Sequence, residues 1–298
     1  MLHRAGQEMN KIIKVCDRLF TKLEMNNTGG SHKYRAACLI IEDALNKGNI
    51  VPGVTTVIEK TGGNFGFGLI AACYRHGIPV ELVVGLGFSP AKRDLLESVG
   101  AQLVGKDLLL LGASPKDVVN IYLENQDQLG KSYYYTDQFS NRIAIDAYRY
   151  QTAPELASQL IEEGVGHKLL FVGCAGTGAS FTGVTSGLKD HGFDVSTVLV
   201  DPFGCDSKKG IFSDHRLEGM AVGVSPPFLD GSLVDRQSQV EHTEMLAAQA
   251  WFYRLTGLDI GYTSAACISV AQRLVSLPEY ADTTCITIAY DAGVWYQN

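Results

Sequence analysis

The sequence predicts an α/β protein built on mainly parallel sheets covered by helices, and three observations point there. Short runs rich in Val, Ile and Leu alternate with segments of helical periodicity, the pattern of strands buried on both faces. Glycine-bearing loops stand at several of the strand-to-helix junctions, where such folds place their ligands. The chain has 298 residues, which is long for one simple core, so two lobes are expected.

Taken in order, Phe20–Glu24 reads as a strand and Arg35–Lys47 as a helix closed by Gly48. Thr55–Glu59 is a strand, and Gly66–His76 a helix closed by Gly77. Val80–Val84 (strand), Ala91–Val99 (helix) and Ala101–Val104 (strand) continue the alternation. Leu169–Val172 runs through glycines into a helix ending near Asp190, and Thr197–Asp201 and Cys285–Tyr290 are further strands. Two stretches break the rhythm. Residues 105–140 read as an irregular crossing between lobes, and residues 202–240, rich in Gly, Pro, Asp and Ser, as a surface or lid segment.

Hydrophobic residues make up 46% and charged residues 19%, a balance that fits a well-buried globule. A formal charge of −7 argues against nucleic acid or an anionic membrane as partner. No apolar run is long enough to span a bilayer and no signal-peptide core opens the chain, so the cytosol is the expected location. The seven cysteines (Cys16, Cys38, Cys73, Cys174, Cys205, Cys267 and Cys285) form no CxxC pair and read as reduced thiols. The histidines have no ligand spacing, and no metal is expected.

Three loops carry the chemistry. Gly173-Cys174-Ala175-Gly176-Thr177-Gly178-Ala179-Ser180 follows a strand and opens a helix. Glycines let backbone approach an anion, and the helix N-terminus then holds it. The same residues also suit a plain tight turn. A dinucleotide site is the lesser reading: Asp201 ends the next strand where a ribose-binding acid would stand, but Phe181 occupies the third glycine position of that fingerprint. Thr61-Gly62-Gly63-Asn64-Phe65-Gly66 forms a second strand-to-helix loop suited to a carboxylate. Asn27-Thr28-Gly29-Gly30-Ser31-His32-Lys33 places a lysine at a helix start, where the dipole disfavours its charge and favours a nucleophilic amine. A lysine simply in solvent is the ordinary alternative.

Together these loops resemble, in order and spacing, those of the fold-type II pyridoxal-phosphate (PLP) enzymes, the tryptophan synthase β and cysteine synthase (O-acetylserine sulfhydrylase) family. Asn27–Arg35 is similar to that family's Asn-Pro-x-Gly-Ser-x-Lys-Asp-Arg motif, Thr61–Gly66 to its Thr-Ser-Gly-Asn-Thr-Gly loop, and Gly176–Ser180 to its Gly-Thr-Gly-Gly-Thr loop. Asp137–Asn141, Thr152–Glu155, Leu217–Gly219 and Gly261–Ser264 resemble further family segments, and the likeness covers about residues 20 to 296. It implies two lobes with the tryptophan synthase β-like fold: residues 36–145 forming a smaller lobe with the substrate-carboxylate loop, and residues 1–35 plus 146–298 a larger lobe with the phosphate loop. It implies that Lys33 holds PLP as a Schiff base and shuttles a proton. Gly176, Thr177, Gly178, Ala179 and Ser180 would cradle the phosphate, and Asn64 would bond the ring hydroxyl oxygen. Thr61, Gly62, Gly63, Phe65 and Gln138 would receive the substrate carboxylate, with Gly219 near the substrate. A homodimer is also implied.

The chain departs from the pattern where Tyr34 replaces an Asp, Gly62 a Ser and Phe65 a Thr. In Tyr290-Asp291-Ala292-Gly293, Ala292 stands where the family's serine faces the pyridine nitrogen. Either water bonds that nitrogen or Asp291 turns inward. Strand alternation sends the two side chains to opposite faces, so the expectation is that Ala292 faces the ring and Asp291 points away. A neutral ring suits chemistry in which the β-substituent leaves soon after the α-proton. The function implied is β-replacement on serine, O-acetylserine or O-phosphoserine, in which a small nucleophile gives cysteine or another β-substituted amino acid. β-Elimination of the dehydratase or desulfhydrase type, releasing a keto acid and ammonia, is the alternative. A catalytically weakened binding homologue is the third reading.

Overall fold

A computed structural model describes residues 10–296. The strands in chain order are β1 Ile12–Cys16, β2 Leu19–Lys22, β3 Thr55–Glu59, β4 Val80–Leu82, β5 Ala101–Leu103, β6 Ser132–Tyr135, β7 Lys168–Cys174, β8 Asp194–Pro202, β9 Arg236–Val240 and β10 Thr284–Ile288. The α-helices are α1 Lys33–Asn46, α2 Asn64–Tyr74, α3 Pro90–Ser98, α4 Lys106–Leu110, α5 Pro115–Glu124, α6 Ile143–Ala147, α7 Ala153–Glu162, α8 Ala179–Asp190, α9 His242–Thr256 and α10 Tyr262–Val275. The fold is the α/β arrangement expected. The described residues divide into two compact units, one formed by those up to Asn27 and from Ile145 onward, the other by Thr28–Ala144. Lys33 therefore belongs to the second unit.

The first unit is built on a sheet of order β1-β2-β10-β7-β8-β9. Only the β1–β2 pair is antiparallel. β7 is buried from Leu169 to Cys174, as a central parallel strand must be. α10 packs on β10 and β7, and α8 on β7 and β8. The Thr152–Glu155 motif serves packing here: Pro154 stands in the first turn of α7, and Glu155 meets the buried Lys22 ammonium at 3.1 Å, with Gln159 at 2.9 Å. A buried charge needs such partners.

The second unit is built on a parallel sheet of order β5-β4-β3-β6. Residues 105–140 are not irregular. They fold into α4, α5 and β6, and Val118 and Val119 join Ile58, Val83 and Leu109 in a core cluster. The start of α5 carries a capping box, Ser114 with Asp117, and a proline in its first turn. β6 reads Ser-Tyr-Tyr-Tyr, without the aliphatic run that marks the other strands. Among the described residues no helix is long and apolar enough to cross a membrane, and no group of three His, Cys, Asp or Glu could hold a metal.

Candidate active site

In the second unit, α1 and α2 approach each other in near backbone contact. A Cβ at Gly68 would lie 2.9 Å from the Tyr34 backbone and 3.1 Å from the Lys33 carbonyl carbon. A Cβ at Gly29, which sits at φ +82°, would lie 3.0 Å from the Phe67 carbonyl oxygen. Only glycine permits both the left-handed turn and the approach. Lys33 opens α1 and is partly exposed. Just before it, Ser31 is fully buried and its hydroxyl has no hydrogen-bond partner among the described residues. Tyr34, in place of the family's acid, is buried, and its hydroxyl accepts from Arg75 at 3.1 Å. It thus ties the first turn of α1 to the far end of α2.

The Thr61–Gly66 loop leaves β3 and opens α2 at Asn64, with Gly63 as N-cap. The Gly63 N–H points to the Thr61 hydroxyl at 3.4 Å. Thr61, Gly63 and Asn64 are partly exposed, but Phe65 is buried. The Phe65 ring is core, so only its backbone is left to meet a ligand. Gly62 has a physical reason to lack a side chain. A Cβ there would lie 2.7 Å from Cδ2 of Phe88 and 2.8 Å from Cγ1 of Val84. The space of the family's serine is filled by an aromatic ring. Gln138 is buried, and its N–H donates to Glu59 at 3.3 Å.

In the first unit, β7 delivers Gly176, Thr177, Gly178, Ala179 and Ser180 to the N-terminus of α8. Gly178 is the N-cap at φ +87°. The segment 202–240 is a backing strap, not a loose loop, over this turn. The Thr177 carbonyl accepts from Phe228 N–H at 2.9 Å, and the Ala175 carbonyl from Ala221 N–H at 3.1 Å. The Thr182 hydroxyl donates to the Phe228 carbonyl at 2.7 Å. A Cβ at Gly178 would lie 2.4 Å from Leu229 N, and one at Gly176 would lie 2.8 Å from the Gly219 carbonyl oxygen. Gly219 is itself left-handed and exposed. Side chains are excluded on the strapped side, and the first N–H groups of α8 have no partner within their own helix. The turn fits a phosphate. Asp201 is committed elsewhere: its carboxylate accepts the Ser207 hydroxyl at 2.5 Å and the Ser207 N–H at 3.2 Å. Phe181 is fully buried against Phe171. The dinucleotide alternative loses its ribose-binding acid.

The chain end folds against α10. Ala292 bridges Ile260, and Gly261 N–H donates to the Asp291 carbonyl at 2.9 Å. Asp291 is fully buried and accepts the Tyr296 hydroxyl at 2.5 Å, whereas Ala292 is partly exposed. Sequence reading missed Glu59, Thr136 and Phe88. The one available signal was a carboxylate ending a predicted strand just before the Thr61 loop.

The profile of the pyridoxal-phosphate dependent enzymes matches residues 8–291. The chain belongs to that family and is a PLP-dependent enzyme of the cysteine synthase type. It is 30% identical over 281 residues to the O-acetylserine dependent cystathionine β-synthase of Bacillus subtilis, covering 93% of this chain and 87% of that one. It is 29% identical over 272 residues to the cysteine synthase of Helicobacter pylori, covering 90% and 85%. Among solved structures, O-acetylserine sulfhydrylase isoform 3 of Entamoeba histolytica superposes with a TM-score of 0.84 at 25% identity, covering 99% and 90%. O-ureido-L-serine synthase superposes with 0.82 at 26% identity, covering 96% and 89%.

Proposed function

We propose that the enzyme performs β-replacement on serine, O-acetylserine or O-phosphoserine, joining a small nucleophile to the β-carbon. The observation that carries this reading is the strapped glycine turn at Gly176–Ser180, which excludes side chains and offers a helix N-terminus to a phosphate. O-acetylserine as the donor draws support from the relatives named for it. PLP, when bound, supplies an electron sink for a charge developing at the substrate α-carbon.

The glycine turn before α8 would hold the phosphate through the backbone of Gly176–Ala179 and the Thr177 and Ser180 hydroxyls. Lys33 would hold the cofactor covalently through Nζ and, once released, take the proton from the substrate α-carbon. Asn64 would orient the ring through its hydroxyl oxygen. Thr61, Gly62, Gly63 and Gln138, with the backbone of Phe65, would bind the substrate carboxylate. Gly219 would line the substrate side of the strap, and Ala292 would face the pyridine nitrogen while Tyr296 occupies Asp291. The working form would be a cytoplasmic homodimer, and seven free thiols, six of them buried, fit a reducing compartment.

Borohydride reduction and peptide mapping should find the cofactor on Lys33. A screen of amino acids against the purified protein should show spectral change and product formation with O-acetylserine plus a thiol or sulfide. Keto acid and ammonia released with no added nucleophile would assign the elimination reading instead.

A further inference from the structure

Glu59 is a wholly buried carboxylate that none of these roles uses. It ends β3, the strand that leads into the Thr61 loop, and has no exposed surface. One carboxylate oxygen, Oε1, accepts the Lys60 N–H at 3.0 Å. The other, Oε2, accepts the Gln138 N–H at 3.3 Å and the Thr136 hydroxyl. The residue between those two donors, Asp137, is held at φ +42°, a left-handed conformation that costs an L side chain on the order of 1–2 kcal/mol. The turn is secured further by Asn141, whose amide donates to the Thr136 carbonyl at 3.3 Å and whose N–H donates to the Asp137 carbonyl at 2.9 Å.

We propose that Glu59 is a positioning residue: its carboxylate fastens the Thr61 loop and the Gln138 turn into one receptor for the substrate carboxylate, without touching substrate. This rests on the reading that Thr61–Phe65 and Gln138 receive that group. Two of the three donors are backbone N–H groups, which can only donate, so they demand an acceptor and favour the ionised acid. Burial opposes ionisation and pushes Glu59 up to about 7, with Thr136, Gln138 and Lys60 pulling the other way. The titratable groups beside it are Lys60, next in the chain, and Tyr135 and Asp137 on the β6 side, whereas Glu81 on β4 is level with Ile58 and so belongs to the other face of the sheet. Glu81 is engaged by Lys131 and by the Tyr133 hydroxyl. The receptor is therefore firmest above this midpoint and loosens as Glu59 takes up a proton.

The test compares the PLP-loaded wild type with Glu59→Gln, whose amide cannot accept at both ends. The wild-type KM for the amino-acid substrate should rise as pH falls through an inflection near 7. In Glu59→Gln, KM should rise about tenfold, kcat should stay within about twofold, and the inflection should vanish. Cofactor content should be unchanged. Thr136→Val removes one donor and keeps the carboxyl. It should raise KM about threefold and move the inflection to higher pH, with Thr136→Ser restoring both. An unchanged KM with the inflection retained in Glu59→Gln overturns the proposal. So does a fall in kcat at constant KM, which would place Glu59 at the reacting atoms. If Glu59→Gln does not fold, an unmoved KM and inflection in Thr136→Val overturns it instead. Thr61→Val and Gln138→Ala probe the receptor directly. If they raise KM while Glu59→Gln does not, the proposal alone fails; if they leave KM unmoved, the receptor reading fails and takes the proposal with it.

Discussion

The two glycine loops begin alike and are built differently. Each leaves a parallel strand and opens a helix, at Gly176–Ser180 before α8 and at Thr61–Gly66 before α2. The first is backed by main chain: Gly219, Phe228 and Leu229 stand where side chains would be. The second is backed by side chains, with Phe88 and Val84 against Gly62 and Leu82 against Gly66, and is tethered through Glu59. Backbone against backbone leaves no room to adjust and suits a ligand part of fixed shape, such as a phosphate. Side chains can repack, so the second loop has room to adjust, with Phe88 standing where a side chain on Gly62 would fall.

The largest effect should follow from breaking the rigid loop. Gly178→Asp would force a side chain into a φ +87° position and against Leu229 N, 2.4 Å from the added Cβ, and bring a negative charge near the phosphate this turn is proposed to hold. Cofactor affinity, followed by absorbance titration, should fall at least ~100-fold, since strain and overlap together exceed about 3 kcal/mol. Unchanged affinity in a folded variant would remove the phosphate from this turn.

The adaptable loop should show compensation. Gly62→Ser overlaps Phe88, and overpacking of this kind costs roughly 1–3 kcal/mol. Phe88→Ala in the same chain opens the space, so the double variant should regain most of the loss in urea midpoint. Additive losses would mean that Phe88 does not set the identity of residue 62.

The tether adds a pH term to the same loop. Burial raises the Glu59 carboxyl from its ordinary 4.5 to about 7, so the native state holds a proton that the unfolded chain releases. That contribution to stability is complete below about 4.5, fades as pH rises, and is gone above about 7. Glu59→Gln should flatten the fall of the unfolding midpoint across that window. An equal slope in both proteins would mean that another group titrates there.

Much of this contrast was legible in the sequence, because strands and glycine loops are local signals. Thr55–Glu59 matches β3 residue for residue, and β4 and β5 start where Val80 and Ala101 predict. α1 begins two residues before the expected Arg35, so that Lys33 itself is its first residue. Hidden were features that depend on distant partners. Glu59 meets Thr136 across 77 residues of chain, Asp201 is satisfied by Ser207, and nothing local says that Phe228 and Leu229 will cover Gly178. β6 was missed because Ser-Tyr-Tyr-Tyr lacks an aliphatic run, and α5 because its capping box was not read.

The smallest effects belong to the chain end, where rigid backbone and a replaced family side chain meet. Asp291 is buried, accepts the Tyr296 hydroxyl, and lies where a Cβ on Gly261 would fall 1.9 Å from its Oδ1. Its carboxylate thus holds the last turn through Tyr296, while its main-chain carbonyl accepts the Gly261 N–H just before α10. Asp291→Asn keeps an oxygen for Tyr296 but loses the charge, so a stability loss of about 0.5–1.5 kcal/mol is expected, with cofactor binding and the substrate-induced spectrum retained. Ala292→Ser should change activity by no more than about threefold, because on the proposed placement of Ala292 at the ring nitrogen the added hydroxyl supplies one neutral hydrogen bond. Loss of the spectral response in Asp291→Asn with PLP still bound would reverse the assignment. Asp291 would then be the ring partner, the nitrogen would carry a proton, and the case for a neutral ring would fail.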